Sequence, residues 1–275
     1  MTPAAASLFV IASTTIVLGY VYFRRWSIAR PPIGVVTLDD IAVLLLAVLV
    51  LPYVYLALPT YVVLCILAVG IAGVLDVSGE PLLPSARVRR VLIMVALVSI
   101  AGVATLSGAG TVVSFAANDI VIVAVAVGGA SLWAQSGLRA RDTAILAAGL
   151  AVYDAVFTGL LPTTADLFGR LAGRAFAPLL VWPAGPSDDW LALGLGDLLV
   201  LTLWPLVLRK AFGRTHALIG LGTEVIVVLG VLLVPHGAIF PVMVVVGPLT
   251  LIQYVWWRRN TGVERTTREY LLADA

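Results

Sequence analysis

Nine apolar runs, each close to the length that crosses a bilayer, set the limits on how this chain folds. They read as Ala5–Phe23, Asp40–Leu58, Tyr61–Leu75, Val91–Leu106, Val112–Ala134, Thr143–Leu161, Trp190–Lys210, Ala217–Val234 and Ile239–Trp257. A transmembrane helix needs about 20 mostly apolar residues, so 275 residues accommodate this number with short connections. Only 12% of residues are charged, against roughly a quarter in soluble domains, which excludes an ordinary soluble fold. The expected class is an all-α polytopic membrane protein with nine transmembrane helices, read as one membrane domain. Spans one to five (1–136) form a scaffold, and spans six to nine (137–275) carry the polar residues.

The basic residues fix an expected orientation. Fifteen of the seventeen Lys and Arg residues follow odd-numbered spans: Arg24, Arg25 and Arg30; Arg87, Arg89 and Arg90; Arg139 and Arg141; Arg209, Lys210 and Arg214; and Arg258, Arg259, Arg265 and Arg268. Arg170 and Arg174 alone lie on the other side. The positive-inside rule then places the N-terminus outside and the C-terminus in the cytoplasm of a cell membrane. The first run lacks the basic n-region of a signal peptide and reads as a retained span. Cys65 is the single cysteine, so no intramolecular disulfide forms. The one long connection, 162–189, faces outside; Leu167, Phe168 and Leu171 beside Arg170 and Arg174 suit a short interfacial helix.

Intramembrane carboxylates are costly and mark functional sites by default. Asp197 stands near the middle of Trp190–Lys210, and Asp154 lies inside span six. Asp154 is twelve residues beyond Asp142, and Asp197 twelve before Arg209, so both lie about 18 Å from the cytoplasmic face on antiparallel spans. Two carboxylates that meet cannot both ionise readily and titrate as a pair. One ionised and one protonated acid is the arrangement of an aspartic protease, with no metal or cofactor. The same acids also suit a proton or cation site in a transporter, or simple bonds between helices.

Three motifs resemble those of the presenilin and signal peptide peptidase family, the GxGD intramembrane aspartyl proteases. Tyr153-Asp154 lies in span six, Gly194-Leu195-Gly196-Asp197 in span seven, and a Pro-rich opening in span nine. In that family YD, GxGD and PAL motifs occupy the sixth, seventh and ninth of nine spans. The resemblance implies a presenilin-like fold, Asp154 and Asp197 as catalytic acids, and Tyr153, Gly194, Leu195 and Gly196 as motif residues. The third motif departs: Phe240-Pro241-Val242-Met243 stands where PAL is expected, with Pro248 seven residues after Pro241. Pro241, Val242 and Met243 are taken as the equivalent, with Gly247-Pro248-Leu249 as the alternative. Bulky Val242 in place of Ala leaves open how closely this segment approaches the acids.

The inferred orientation is similar to the signal peptide peptidase branch. That branch implies substrates that are transmembrane helical peptides of type II proteins or remnant signal peptides, and no required accessory subunits. No nucleic acid is expected among the partners. Prepilin peptidases share a GxGD aspartate but lack a PAL element and rank second among proteases. A proton-coupled transporter using Asp154, Asp197 and Glu224, and a catalytically idle homologue, are the alternatives from other classes.

The remaining polar residues carry plainer expectations. Asn118 and Asp119 read as caps of a fifth helix that begins late, the alternative being that Asp119 is an intramembrane acid. Glu224 pairs with Arg214 or His216, or forms a third buried acid. His216 and His236 lie too far apart for a metal. Trp204, Trp256, Trp257 and Tyr254 suit an interfacial aromatic belt, and Thr202 bonds back to its own helix. Tyr153 either donates a hydrogen bond near the acids or packs.

Overall fold

The computed structural model describes residues 1–28, 36–108, 110–184, 190–233, 241–266 and 269–270. Arg30, Gly185, Pro186, Asp189, Val234, His236, Ile239, Phe240 and Arg268 therefore lie outside the described residues.

The chain is mostly helical and multi-pass in character. The elements are α1 (Pro3–Arg25), α2 (Leu38–Ala57), α3 (Thr60–Ser78), α4 (Ala86–Ser107), α5 (Val112–Gln135) and α6 (Ala140–Asp154), which runs on as a π-helical turn over Ala155–Leu160. There follow α7 (Thr163–Leu171), β1 (Leu179–Pro183), β2 (Trp190–Gly194), α8 (Leu195–Phe212), α9 (Arg214–Leu233) and α10 (Met243–Thr261). Among the described residues seven helices are long and apolar enough to cross a membrane: α1 to α5, α6 with its π turn, and α9. The nine-span expectation thus reduces to seven helices that qualify on length and composition; α8 and α10 carry the GxGD and Pro241 motifs.

Packing separates a buried set from a peripheral one. Helix α8 sits at the centre, touching α1, α5, α6, α9 and α10. Leu198, Leu201, Trp204 and Leu208 are fully buried along it. Helices α2, α3 and α4 expose almost all of their apolar surface, which in water would be untenable and in lipid costs nothing. Their ends are secured by polar bonds. Thr37 and Asp40 form a capping box on α2. Arg89 and Arg90 pair with Asp76 at 2.8 and 3.1 Å. Arg170 of α7 donates to the Tyr55 and Leu56 carbonyls at the end of α2 and to that of Leu58 just beyond it. The expected short helix is present as α7, with Arg170 capping α2.

Two corrections concern the run Trp190–Lys210. Its first five residues form β2, paired antiparallel with β1 from Leu179↔Gly194 to Pro183↔Trp190. The all-α expectation thus gives way to a helical bundle bearing one hairpin. The cause lies on α5. Asn118 and Asp119, expected as caps, sit inside that helix, both 4% exposed. The Asn118 Nδ2 donates to the carbonyls of Ala177 and Leu179 at 3.1 and 3.0 Å. Asp119 Oδ1 accepts the Val181 N–H at 3.2 Å. Two side chains of α5 therefore serve the edge of β1 as a third strand would, satisfying backbone groups that would otherwise be orphaned. With β2 extended, helix α8 begins only at Leu195. Asp197 lies in its first turn instead of at a helix centre.

Two further expectations are overturned, and for Glu224 the structure selects the buried acid over the ion pair. Trp204 and Trp257 are buried, 0% and 7% exposed, with ring centroids 6.4 Å apart, and the Trp204 indole donates to Gln253 at 2.7 Å. They tie α8 to α10; Trp256 alone of the three tryptophans is broadly exposed. Thr202 Oγ1 is buried and makes no hydrogen bond, because its side chain is turned toward Gly19, where a Cβ would sit 2.3 Å from Thr202 Cγ2. Glu224 pairs with neither Arg214 nor His216. It is 1% exposed, within the inward stripe Ala217, Gly220, Glu224, Val228 and Val231 of α9, and its Oε2 has no hydrogen-bond partner.

Candidate active site

Asp154 is the last α-helical residue of α6. Beyond it the helix widens into the π turn, a form that recurs at functional sites because it re-aims side chains within one helix. Thr158, inside that turn, donates its hydroxyl to Asp154 Oδ1 at 2.8 Å. The Met243 backbone N–H donates to Asp154 Oδ2 at 3.0 Å. Both carboxylate oxygens are thus held, one from the same helix and one from the start of α10, and the residue is only 8% exposed.

Asp197 approaches from α8. Gly194 is the N-cap residue of that helix and Asp197 its third helical residue, so the carboxylate reaches back to the Gly194 N–H. This is half of a capping box; glycine has no side chain to complete it. The position also suits a negative charge, since the helix dipole is positive at its N-terminus. A Cβ on Gly194 would lie 3.0 Å from Asp197 Oδ2 and 3.5 Å from Phe168 Cζ. Gly194 is therefore hemmed in by the acid it serves. Gly196 differs: it is exposed, and a Cβ there would meet nothing within 4 Å. Asp197 is half-buried beside this open flank.

The helices that carry the two acids pack against each other, α6 on α8, so Asp154 and Asp197 stand on neighbouring elements. Tyr153 stacks on Phe157 with ring centroids 4.8 Å apart, which sets it against the π turn. Leu195 donates its N–H to the Pro178 carbonyl at 2.9 Å, joining the start of α8 to the residue before β1.

The structure brings Pro241-Val242-Met243, and not Gly247-Pro248-Leu249, to the acids. Val242 is 2% exposed and packs into the apolar core with Leu193, Val228 and Val231. Its bulk is accommodated away from the carboxylates, so it does not hold the segment off. Gly247 has a different task. A Cβ there would sit 2.5 Å from the Ala147 carbonyl oxygen and 2.7 Å from the Ala151 Cβ, so glycine is what lets α10 lie against α6. This helix pair makes the most extensive contact in the bundle.

Thr158 was missed in the sequence, although a hydroxyl four residues beyond a helical acid is the available signal. His216 rests edge-on against Trp257, and no group of three potential metal ligands exists among the described residues.

Removal of the Thr158 hydroxyl tests how far Asp154 depends on it. Thr158→Val keeps the side-chain shape and deletes one hydrogen bond to a carboxylate, worth about 1.5–3 kcal/mol. Activity that depends on Asp154 is expected to fall about tenfold, with Thr158→Ser restoring most of it. An unchanged pH profile in Thr158→Val would assign the hydroxyl to packing alone.

No protein-family model, curated protein or solved structure matches the chain.

Proposed function

We propose that this protein is an intramembrane aspartyl protease that hydrolyses peptide bonds within transmembrane segments, with Asp154 and Asp197 as its dyad. The observation that carries the reading is the meeting of three motifs. The Met243 N–H joins the Pro241-Val242-Met243 segment to the YD acid, and α8, which opens on the GxGD acid, packs against both α6 and α10. A nine-span, presenilin-like architecture belongs to the same proposal, as does an N-terminus outside and a C-terminus in the cytoplasm. That orientation favours type II membrane proteins or remnant signal peptides as substrates, cleaved without accessory subunits.

Hydrolysis needs a water and a scissile carbonyl between the acids. The ionised acid takes a proton from the water as it attacks, and the protonated acid hydrogen-bonds the carbonyl oxygen that becomes the oxyanion. The proton then passes to the leaving amide nitrogen as the C–N bond breaks. A helical substrate must first be extended, because helical carbonyls are already hydrogen-bonded. The space beside Gly196 leaves room for such a backbone next to Asp197. Water is expected to reach the acids from the cytoplasmic side, and cysteines placed beside both acids that resist aqueous reagents would sink that part of the reading.

A transporter using the same acids is the second reading, favoured by one observation, the buried and unpartnered Glu224. Reconstitution in liposomes separates the two. The protease is expected to cleave a type II helical reporter with no ion gradient and with a bell-shaped pH dependence, since one acid must be ionised and one protonated. Gradient-driven flux without cleavage would replace this proposal by the transporter.

A further inference from the structure

A second feature lies at the bundle end that carries α7 and the hairpin, and none of its lining residues belongs to the dyad. Helices α3 and α4 leave a cavity of about 430 Å³ between them, within the range of small-molecule sites. Leu64, Cys65 and Ala68 of α3 line one wall, and Ala101 and Ala104 of α4 the other. It reaches about 12 Å inward from the start of α3 at Thr60 to Ala68, counted at 1.5 Å per residue. Both helices are otherwise among the most exposed in the bundle, so the furrow opens on the surface that faces lipid.

The mouth is basic. Arg174 borders the cavity and is exposed. Its Nε donates to the Arg170 carbonyl at 3.3 Å, and its two terminal nitrogens have no hydrogen-bond partner among the described residues. The segment holding it is anchored two residues on. Phe176 adopts a left-handed backbone, φ 66°, and packs with Ile71, Leu97, Val121 and Val125. A non-glycine residue holds such a conformation only where its surroundings impose it. Arg174 is thus held at the rim and still presents donors outward.

We infer that this furrow binds an anionic phospholipid, one acyl chain lying between α3 and α4 and the headgroup phosphate against Arg174. An apolar slot supplies no preference among lipids, whereas a guanidinium with two open nitrogens matches a phosphate oxygen pair; phosphatidylcholine offers the same pair but sets its own quaternary ammonium beside Arg174, so a headgroup of net negative charge is favoured. A cation at the rim of an interhelical groove, beside an apolar slot, gives an acidic headgroup its counter-charge and its acyl chain a bed. The site is separate from the dyad and does not depend on the proposed protease activity.

The single cysteine makes the test direct, because Cys65 lines the furrow and is exposed. Purified protein is placed in nanodiscs of phosphatidylcholine alone or mixed with phosphatidylglycerol, and the rate of Cys65 alkylation by a small maleimide is measured. Native mass spectrometry after detergent extraction runs in parallel. Phosphatidylglycerol is expected to slow alkylation at least fivefold and to survive extraction as one bound lipid. Arg174→Gln is expected to abolish both effects, and Ala104→Phe, which fills the slot, to abolish lipid retention with Arg174 intact. Equal rates in the two lipid mixtures, or an unchanged preference in Arg174→Gln, would overturn the assignment. So would protection of Cys65 that follows protein concentration rather than lipid, which would give the furrow to a second copy of the chain.

Discussion

Reporter cleavage is expected to vanish when either Asp154 or Asp197 is replaced by alanine. Each acid supplies one half of a proton-transfer pair, and general acid–base groups contribute about 10²–10⁴-fold to such reactions. Neither role has a substitute nearby: the described residues around the dyad offer Tyr153 and Thr158 but no other acid. Loss of at least a thousandfold is therefore the expected result in both variants. Both should also lose stability. Asp154→Ala leaves the Met243 N–H without its acceptor, a cost of about 1–3 kcal/mol for a buried donor. Asp197→Ala releases the N–H of Gly194, which is buried too, at a similar cost. The aspartate-to-asparagine variants keep shape and most hydrogen bonds, so their loss of cleavage would be free of folding effects. Cleavage at the wild-type rate in any of these four variants would remove the dyad.

Gly247→Val should be nearly as damaging, from a position that touches neither acid. The added Cβ falls 2.5 Å from the Ala147 carbonyl oxygen, and backbone cannot swing aside as a flexible side chain can. Overpacking of this kind costs about 1–3 kcal/mol, and the relief available is to move α10 away from α6. That motion carries the Met243 N–H off Asp154, so cleavage should fall by an order of magnitude or more alongside a lower unfolding temperature. Gly222→Val is the control, because nothing lies within 4 Å of a Cβ there. A Gly247→Val protein with full activity would show that the Met243 contact does not position the acid.

What the sequence disclosed, and what it withheld, divides along the range of the interactions. Helix order follows from hydropathy, which is local. So does the reading that a helix opens close behind Pro241, where α10 begins at Met243. The hairpin was hidden because Trp190–Gly194 is as apolar as the helix after it. Only contacts to Asn118 and Asp119, some sixty positions away, make the extended form preferable. Those two residues were misread for the same reason: polar side chains in an apolar run look like a helix boundary when their partners are invisible. The π turn after Asp154 has no sequence signature, and Thr158 is meaningful only once that turn aims it. Glu224 was expected to find a cation within two turns, yet the helix face it occupies is fixed by packing against α1 and α8.

The side chains that hold β1 also impose an order of events on biogenesis. As the chain emerges, α5 must enter the bilayer before Ala177, Leu179 and Val181 exist to receive Asn118 and Asp119. During that interval the nascent span carries a naked acid, and an aspartate at the centre of an inserting helix costs about 2.5–3.5 kcal/mol. Asp119 lies about 10 Å inside the start of α5, short of its centre, so it bears only part of that cost. The fifth span is therefore held provisionally until synthesis delivers the hairpin some sixty residues later. A chain truncated before Ala177 would be released with that debt unsettled, in the condition that membrane quality control is suited to detect.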